Sequence, residues 1–226
     1  MEGQKSVDSI ISADTYQIEE LYATAQWVNS NPTYPKDLSV IVLTQREIQK
    51  ISEHKSAPSV VAVVTLPKSK ACDLSKINTA IYLDDIQDPG NVGTIIRIAD
   101  WYGIDGVLRS NGSADFYNAK VIQSCMGSFT NLCLGTISHE ELTSSAAGMT
   151  MITTQMTGTP LKQISSPNRF ILIMGNEGLG VRKELLSQDH QSIGIQGSSS
   201  RIAESLNVAV ATGIICQHLM EPKIRT

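Results

Sequence analysis

Residues 79–103 read TAIYLDDIQDPGNVGTIIRIADWYG and set out one complete strand-to-helix step. The strand ends at Asp84 or Asp85, Asp88-Pro89-Gly90 supplies turn chemistry, and Asn91 or a neighbour is placed to cap the next helix. Downstream the alternation repeats through GVLRS, NAKVIQSCMG, LCLG, HEELTSSAA, MTMITT and RFILIMG. A helix near VRKELL, a strand SIGIQ and a last helix ESLNVAVATGIICQHLM complete it. Strands alternating with helices of about ten residues predict an α/β fold with a parallel sheet buried on both faces. Upstream, LSVIVLT, QREIQKISEH and SVVAVVT predict a small strand-helix-strand unit, preceded by IEELYATAQWV at helical spacing and the breaker-rich loop NSNPTYPKD. LPKSKACDLSKIN is the predicted linker, which puts one domain at 1–72 and a second at 76–226.

At roughly 150 residues per domain, 226 residues fit one medium domain with a smaller companion. Apolar residues at 41% and charged residues at 18% exclude wholesale disorder. No apolar run approaches about 18 residues and the start, MEGQKSVDSI, is polar, so a soluble cytoplasmic protein without a membrane span or leader is expected. Eighteen basic against 22 acidic residues leave a net charge of −4. That excludes a chain coated in nucleic acid over its whole surface and leaves room for a local basic patch. Cys72, Cys125, Cys133 and Cys216 lack CxxC spacing, so reduced thiols, no disulfide framework and no metal are expected.

Three strand-to-loop junctions stand out. The first carries Arg97 among Ile95, Ile96, Ile98 and Ala99, close to the loop where open parallel sheets collect ligands; its ordinary alternative is a surface pair with Asp100. The second, ILIMGNEGLG (171–180), combines three glycines with Glu177 and matches neither GxGxxG nor GxxxxGK[ST]. It fits a backbone cradle for an uncharged heterocycle, and Glu177 reads equally as an acid in the first turn of a succeeding helix. The third, IGIQGSSSRIAESLNVAVA (193–211), places Asn207 in the first turns of the last helix, with Ser205 readable as an N-cap.

In order, N-V-G-x-x-x-R, M-G-N-E-G-x-G and S-L-N-V-x-V-A resemble the SpoU (TrmH-type) branch of the SPOUT RNA methyltransferases, which methylate a ribose 2′-hydroxyl with S-adenosylmethionine. The resemblance spans residues 79 to 220. MEGQKSV stands where the family reads V-E-G-x-K, so the first domain resembles the family's RNA-binding domain and the chain is expected to start inside it. The resemblance implies a C-terminal trefoil knot, a homodimer packed through it, and ribosomal or transfer RNA as partner. Gly175, Ile193 and Leu206 correspond to cofactor contacts, joined by proximity by Thr153, Thr154, Asn176, Glu177, Gly178 and Ile195. The implied catalytic group is Arg97, supported by Asn91, Glu177, Ser205 and Asn207. RNA is expected on a patch of Lys5, Arg97, Arg109, Lys120 and Arg201.

The chain departs from the family at Ile193-Gly194-Ile195, where relatives read I-P-M, and its SSSRIAE loop is longer. Losing the proline frees a backbone N–H and adds flexibility beside the adenine pocket. None of His54, His139, His190 and His218 falls in a motif, and a guanidinium stays protonated. Arg97 is therefore expected to bind a phosphate and stabilise a developing alkoxide, with Glu177 and Asn207 holding it or the substrate. Two rivals remain: a non-catalytic RNA-binding relative, favoured by the missing proline, and a nucleotide-binding α/β oxidoreductase, disfavoured by a glycine-rich loop that comes late in the chain.

Overall fold

In a computed structural model the chain is described over residues 1–13, 15–32, 34, 38–66, 72–186 and 190–224. Its contacts divide it into Met1–Ser69 with Met126–Asn131, and Lys70–Cys125 with Leu132–Thr226. The first unit runs α1 (Gln4–Ser12), β1 (Ile18–Ala23), α2 (Ala25–Ser30), β2 (Val40–Val42), α3 (Gln45–Ile51) and β3 (Val60–Val64). The helix expected over IEELYATAQWV is instead a strand and then a short helix, broken at Thr24, whose hydroxyl accepts from the Trp27 amide at 3.2 Å. Pairing decides this: β1 is central in the order β2-β1-β3, parallel to β2 and antiparallel to β3. There Leu21 and Ala23 enter a core with Val7, Trp27, Val60 and Ala62, which outweighs a weak local spacing signal. Parts of the predicted loop NSNPTYPKD and of the predicted linker, at 33, 35–37 and 67–71, lie outside the described residues.

The second unit runs β4 (Thr79–Asp84), α4 (Pro89–Tyr102), β5 (Gly106–Arg109), α5 (Ala119–Cys125), β6 (Cys133–Thr136), α6 (His139–Ser145), β7 (Thr150–Pro160), β8 (Phe170–Gly175), β9 (His190–Gly194) and α7 (Val208–Ile224). All six strands are parallel, in the order β6-β5-β4-β8-β7-β9, so the α/β reading holds. The chain lays down β4, β5 and β6 in one direction and crosses to β7. It then returns to insert β8 between β7 and β4 before adding β9 outside. Every residue of β4 is buried. Tyr82, Leu108, Ile171 and Ile173 pack with Leu142 of α6, while Ile81, Leu83 and Leu172 alternate between them and are also buried. Burying each such side chain contributes about 1.5–3 kcal/mol, which is why these strands read as unbroken apolar runs. Their carboxyl ends, Asp84 and Gly175, are register partners where the strand order diverges, the place where a ligand crevice opens in such sheets.

Helix boundaries around that crevice differ from expectation. Asp88, not Asn91, caps α4, accepting from the Gly90 and Asn91 amides at 2.6 and 3.4 Å with Pro89 opening the helix. VRKELL forms only a 3-10 turn at Lys183–Leu185, and residues 187–189 lie outside the described chain. α7 begins later than expected, capped by Asn207, whose carbonyl oxygen accepts from the Ala209 and Val210 amides at 3.0 and 3.2 Å. Ser205 is exposed and does not take that role.

The thiols also depart from the reduced state expected, because Cys72 and Cys133 form a disulfide with Cα atoms 5.6 Å apart. Spacing in sequence could not show this, since 61 residues separate them. The sheet brings them together where Gly106 and Gly135 leave room: a Cβ on either would lie within 3.3 Å of an atom of Cys72. Thiol titration of the unreduced chain in denaturant is expected to find only Cys125 and Cys216, and four thiols after reduction. Reduction should lower stability in urea melts by about 2–4 kcal/mol. Four thiols before reduction would contradict the crosslink.

Candidate active site

The three junctions singled out in the sequence meet in one hydrogen-bonded chain. Because Asp88 supplies the α4 cap, the Asn91 side chain is free to turn outward: its amide donates to Glu177 Oε1 at 2.8 Å and its carbonyl oxygen accepts from the Asn207 amide at 3.0 Å. These residues lie 86 and 116 positions apart, so only the fold joins them. Glu177 is exposed and sits on a closed loop instead of in the first turn of a helix. The loop is closed by an Asn176–Gly180 bridge, with the Asn176 side-chain carbonyl oxygen accepting from the Gly178 and Leu179 amides at 2.9 and 3.1 Å. Gly175 is required there, since a Cβ would come within 2.3 Å of Gly180 backbone.

Arg97 is on the same helix but is not held by this group. Six residues at about 100° each turn it well away from the face of Asn91. It is exposed, with no hydrogen bond or ion pair among the described residues, so of the two expected roles for Glu177 and Asn207, holding Arg97 or the substrate, the first is not met: their partner is Asn91.

Of the residues expected to bind a cofactor, Thr153 and Thr154 lie on β7, Gly175 ends β8 and Ile193 lies on β9, while Leu206 precedes α7. Thr153 is fully buried, and its hydroxyl and that of its register partner Ser192 have no hydrogen-bond partner among the described residues. Thr154 donates to the Ile173 carbonyl at 3.2 Å. Ile193 is buried, Ile195 half-buried, and Leu206 about half exposed. Gly194, where the family has proline, is accounted for by packing. Thr154 and Thr159 both pair with Ile193, so residues 155–158 bulge out of β7. The bulge leaves no space at 194, where a Cβ would lie 2.8 Å from the Gln155 carbonyl oxygen. The position is filled by backbone.

Of the expected RNA patch, Lys5, Lys120 and Arg201 are exposed, Lys5 in the first unit. Arg109 is not an open contact: its guanidinium pairs with Asp115 at 2.6 Å, donates to the Ser113 carbonyl at 3.0 Å, and lies over the Phe116 ring. A charge on the last residue of a strand was absorbed by the loop beyond it.

Sequence reading passed over the group beneath the loop: Asp84, Asp85, Ser110, His139 and Arg182. The signal was the Asp84-Asp85 doublet at the end of an apolar strand, since a buried carboxylate needs partners. Asp85 adopts φ 58°, in the left-handed region. Partial burial pushes its pKa up, but the hydrogen bonds from Ser110 and Arg182 outweigh this and hold it below the ordinary carboxylate value.

A glycine-rich loop and two asparagine-bearing helix starts, hydrogen-bonded together at the carboxyl end of a parallel α/β sheet where its strand order diverges, stand where such folds bind ligands. Residues 78–217 match the model of the SpoU rRNA Methylase family, and the chain belongs to that family. Over 202 residues it is 32% identical to the 23S rRNA (guanosine(2553)-2'-O)-methyltransferase RlmP of Bacillus subtilis, covering 85% of this chain and 78% of that one. A TrmH-family protein from Porphyromonas gingivalis superposes with a TM-score of 0.86 at 30% identity, over 98% of this chain and 89% of that one. The AdoMet-bound rRNA methyltransferase from Sinorhizobium meliloti does so at 0.85 and 25%, over 98% and 86%. No described helix is long and apolar enough to cross a membrane.

A carboxylate held below its ordinary pKa stabilises the fold above that range, and the contribution is lost as pH falls through the lowered value. Asp85→Asn tolerates the same φ, removes the charge and turns one of the two accepting oxygens into a donor, so it costs stability at neutral pH but no longer titrates. Its urea stability should therefore fall less steeply than wild type between about pH 5 and 3; equal slopes would contradict the assignment.

Proposed function

We propose that the chain transfers the methyl group of S-adenosylmethionine to a ribose 2′-hydroxyl of ribosomal RNA. The observation that carries this is the Glu177–Asn91–Asn207 chain of hydrogen bonds, which brings all three family motifs together. The site suits such a cofactor: Thr153 and Ser192 offer buried hydroxyls without partners among the described residues. Bound there, the cofactor supplies a methyl group on a sulfonium that is already a good leaving group. Gly175, Asn176, Glu177, Gly178, Ile193, Ile195 and Leu206 would hold it, with Thr153 and Thr154 beneath.

The protein's part is alignment and charge. Asn91, fixed from both sides, orients the ribose, and such positioning lowers a barrier by several kcal/mol. Arg97, exposed and uncommitted, takes the phosphate beside the target ribose and stabilises the negative charge that develops on the 2′-oxygen, whose proton passes to solvent water. Ser205 stands near Asn207 in sequence as a substrate contact. Lys120 and Arg201 in the second unit, and separately Lys5 in the first, offer exposed charge to RNA phosphates, so binding should weaken with salt.

The working form is read as a homodimer. α7 is apolar nearly all round: Val208, Ile215 and Leu219 are buried, while Val210 and Ile214 are exposed on the other side and line a groove of 570 Å³ with Ile98 and Tyr102 of α4. A helix apolar on both sides is built to be covered on both sides, and a second copy covers it. The late insertion of β8 between β4 and β7 supports the threaded, knotted topology of the family. The protein would act in the cytoplasm, where ribosomal RNA is met and where the Cys72–Cys133 bond has to persist against a reducing thiol pool.

Mapping 2′-O-methyl marks in ribosomal RNA with and without the gene should show one site that depends on it; an unchanged map would favour a non-catalytic RNA-binding relative. In reconstituted assays, Asn91→Ala and Arg97→Lys should each lower kcat/KM by about 10- to 100-fold, and full turnover by Arg97→Lys would remove its proposed role. Val210→Asp with Ile214→Asp should sediment as a monomer, and a dimer of the double variant would place the interface elsewhere.

A further inference from the structure

We infer that the buried carboxylate of Asp84 and the guanidinium of Arg182 form a clamp that positions the loop carrying Glu177, making both of them positioning residues for cofactor binding. Asp84 is the last residue of β4 and wholly inaccessible to solvent. Its Oδ2 accepts from the Arg182 backbone amide at 2.8 Å, and its Oδ1 accepts from Arg182 Nε at 3.0 Å and lies 3.2 Å from His139 Nε2. Arg182 reaches on to the carboxylate of Asp85.

The other end of the loop is tied to the same pair. Gly175 is the register partner of Asp84, and the Asn176 side-chain amide donates to the Asp85 carbonyl at 2.9 Å. Residues 176–182 thus leave β8 beside Asp84 and return to it, a ring closed on one carboxylate with Glu177 at its exposed side. Asp85 is braced in turn by Ser110, which donates to its carboxylate at 2.6 Å and accepts from its amide at 3.0 Å. A buried carboxylate is tolerated only when paired and hydrogen-bonded, and here both conditions are met by the residue that ends the loop. Such charge-assisted bonds fix position as well as energy.

The inference rests on reading this loop as the cofactor cradle, and two measurements keep it separable from that reading. Arg182 is partly exposed, so Arg182→Met removes the side-chain arm of the clamp without a buried void. In calorimetry with the full chain and S-adenosylmethionine, Arg182→Met should raise Kd at least about tenfold, and Arg182→Lys should recover most of the loss. In the cofactor-free chain, Arg182→Met should also speed hydrogen exchange of the Gly178, Leu179 and Gly180 amides. Unchanged exchange at those amides overturns the clamp, as does wild-type affinity in Arg182→Met. A wild-type chain that takes up no S-adenosylmethionine would sink the functional reading alone, with the exchange rates still deciding the clamp.

Discussion

The parallel pairing of β4 with β8 is the constraint on which the second unit depends. It joins strands whose first residues lie at Thr79 and Phe170, and it sets Asp84 beside Gly175. From that register the two loops leaving the sheet face each other, and Asn91 and Glu177 come within hydrogen-bond distance. Pairing of such separation is entropically costly to form, and the cost is offset by the unbroken burial of TAIYLD against FILIM. A one-residue slip would turn Tyr82 and Ile173 to the wrong face and carry Asp84 out of reach of Arg182.

Much of the fold could be read directly. The alternation from residue 79 onward predicts the parallel sheet because strands buried on both faces are apolar without interruption, and every strand expected there is present. Reading fails where local and long-range preferences compete. IEELYA has a spacing that suits a helix, yet two neighbouring strands claim it. VRKELL has helix-forming residues, yet Arg182 is committed to Asp84, and the chain makes only one tight turn after it.

The site was legible in part for the same reason. Motif order alone marked Asn91, Glu177 and Asn207, but which of them touch is a tertiary fact, and the partner of Glu177 and Asn207 is Asn91 instead of Arg97. Arg109 reads as a free cation in sequence, because nothing there shows that Asp115 and Phe116 fold back onto it. Gly194 reads as a lost proline until the bulge in β7 is seen to occupy the space a ring would need. Asp84, the residue that ties the loop down, has no motif of its own and is conspicuous only as a charge in an apolar strand.

On the proposed reading these contacts divide the labour among three kinds of group: a buried carboxylate holds the loop, asparagine amides would align the reactants, and an uncommitted guanidinium would meet the RNA. A crystal structure of the chain with S-adenosylhomocysteine tests this division most directly. The ligand should lie against Gly175, Ile193 and Leu206, with its sulfur facing Asn91 and the Asn91–Glu177 and Asn91–Asn207 bonds intact. Ligand density elsewhere on the chain, or an Asn91 side chain turned away from both partners, would contradict it.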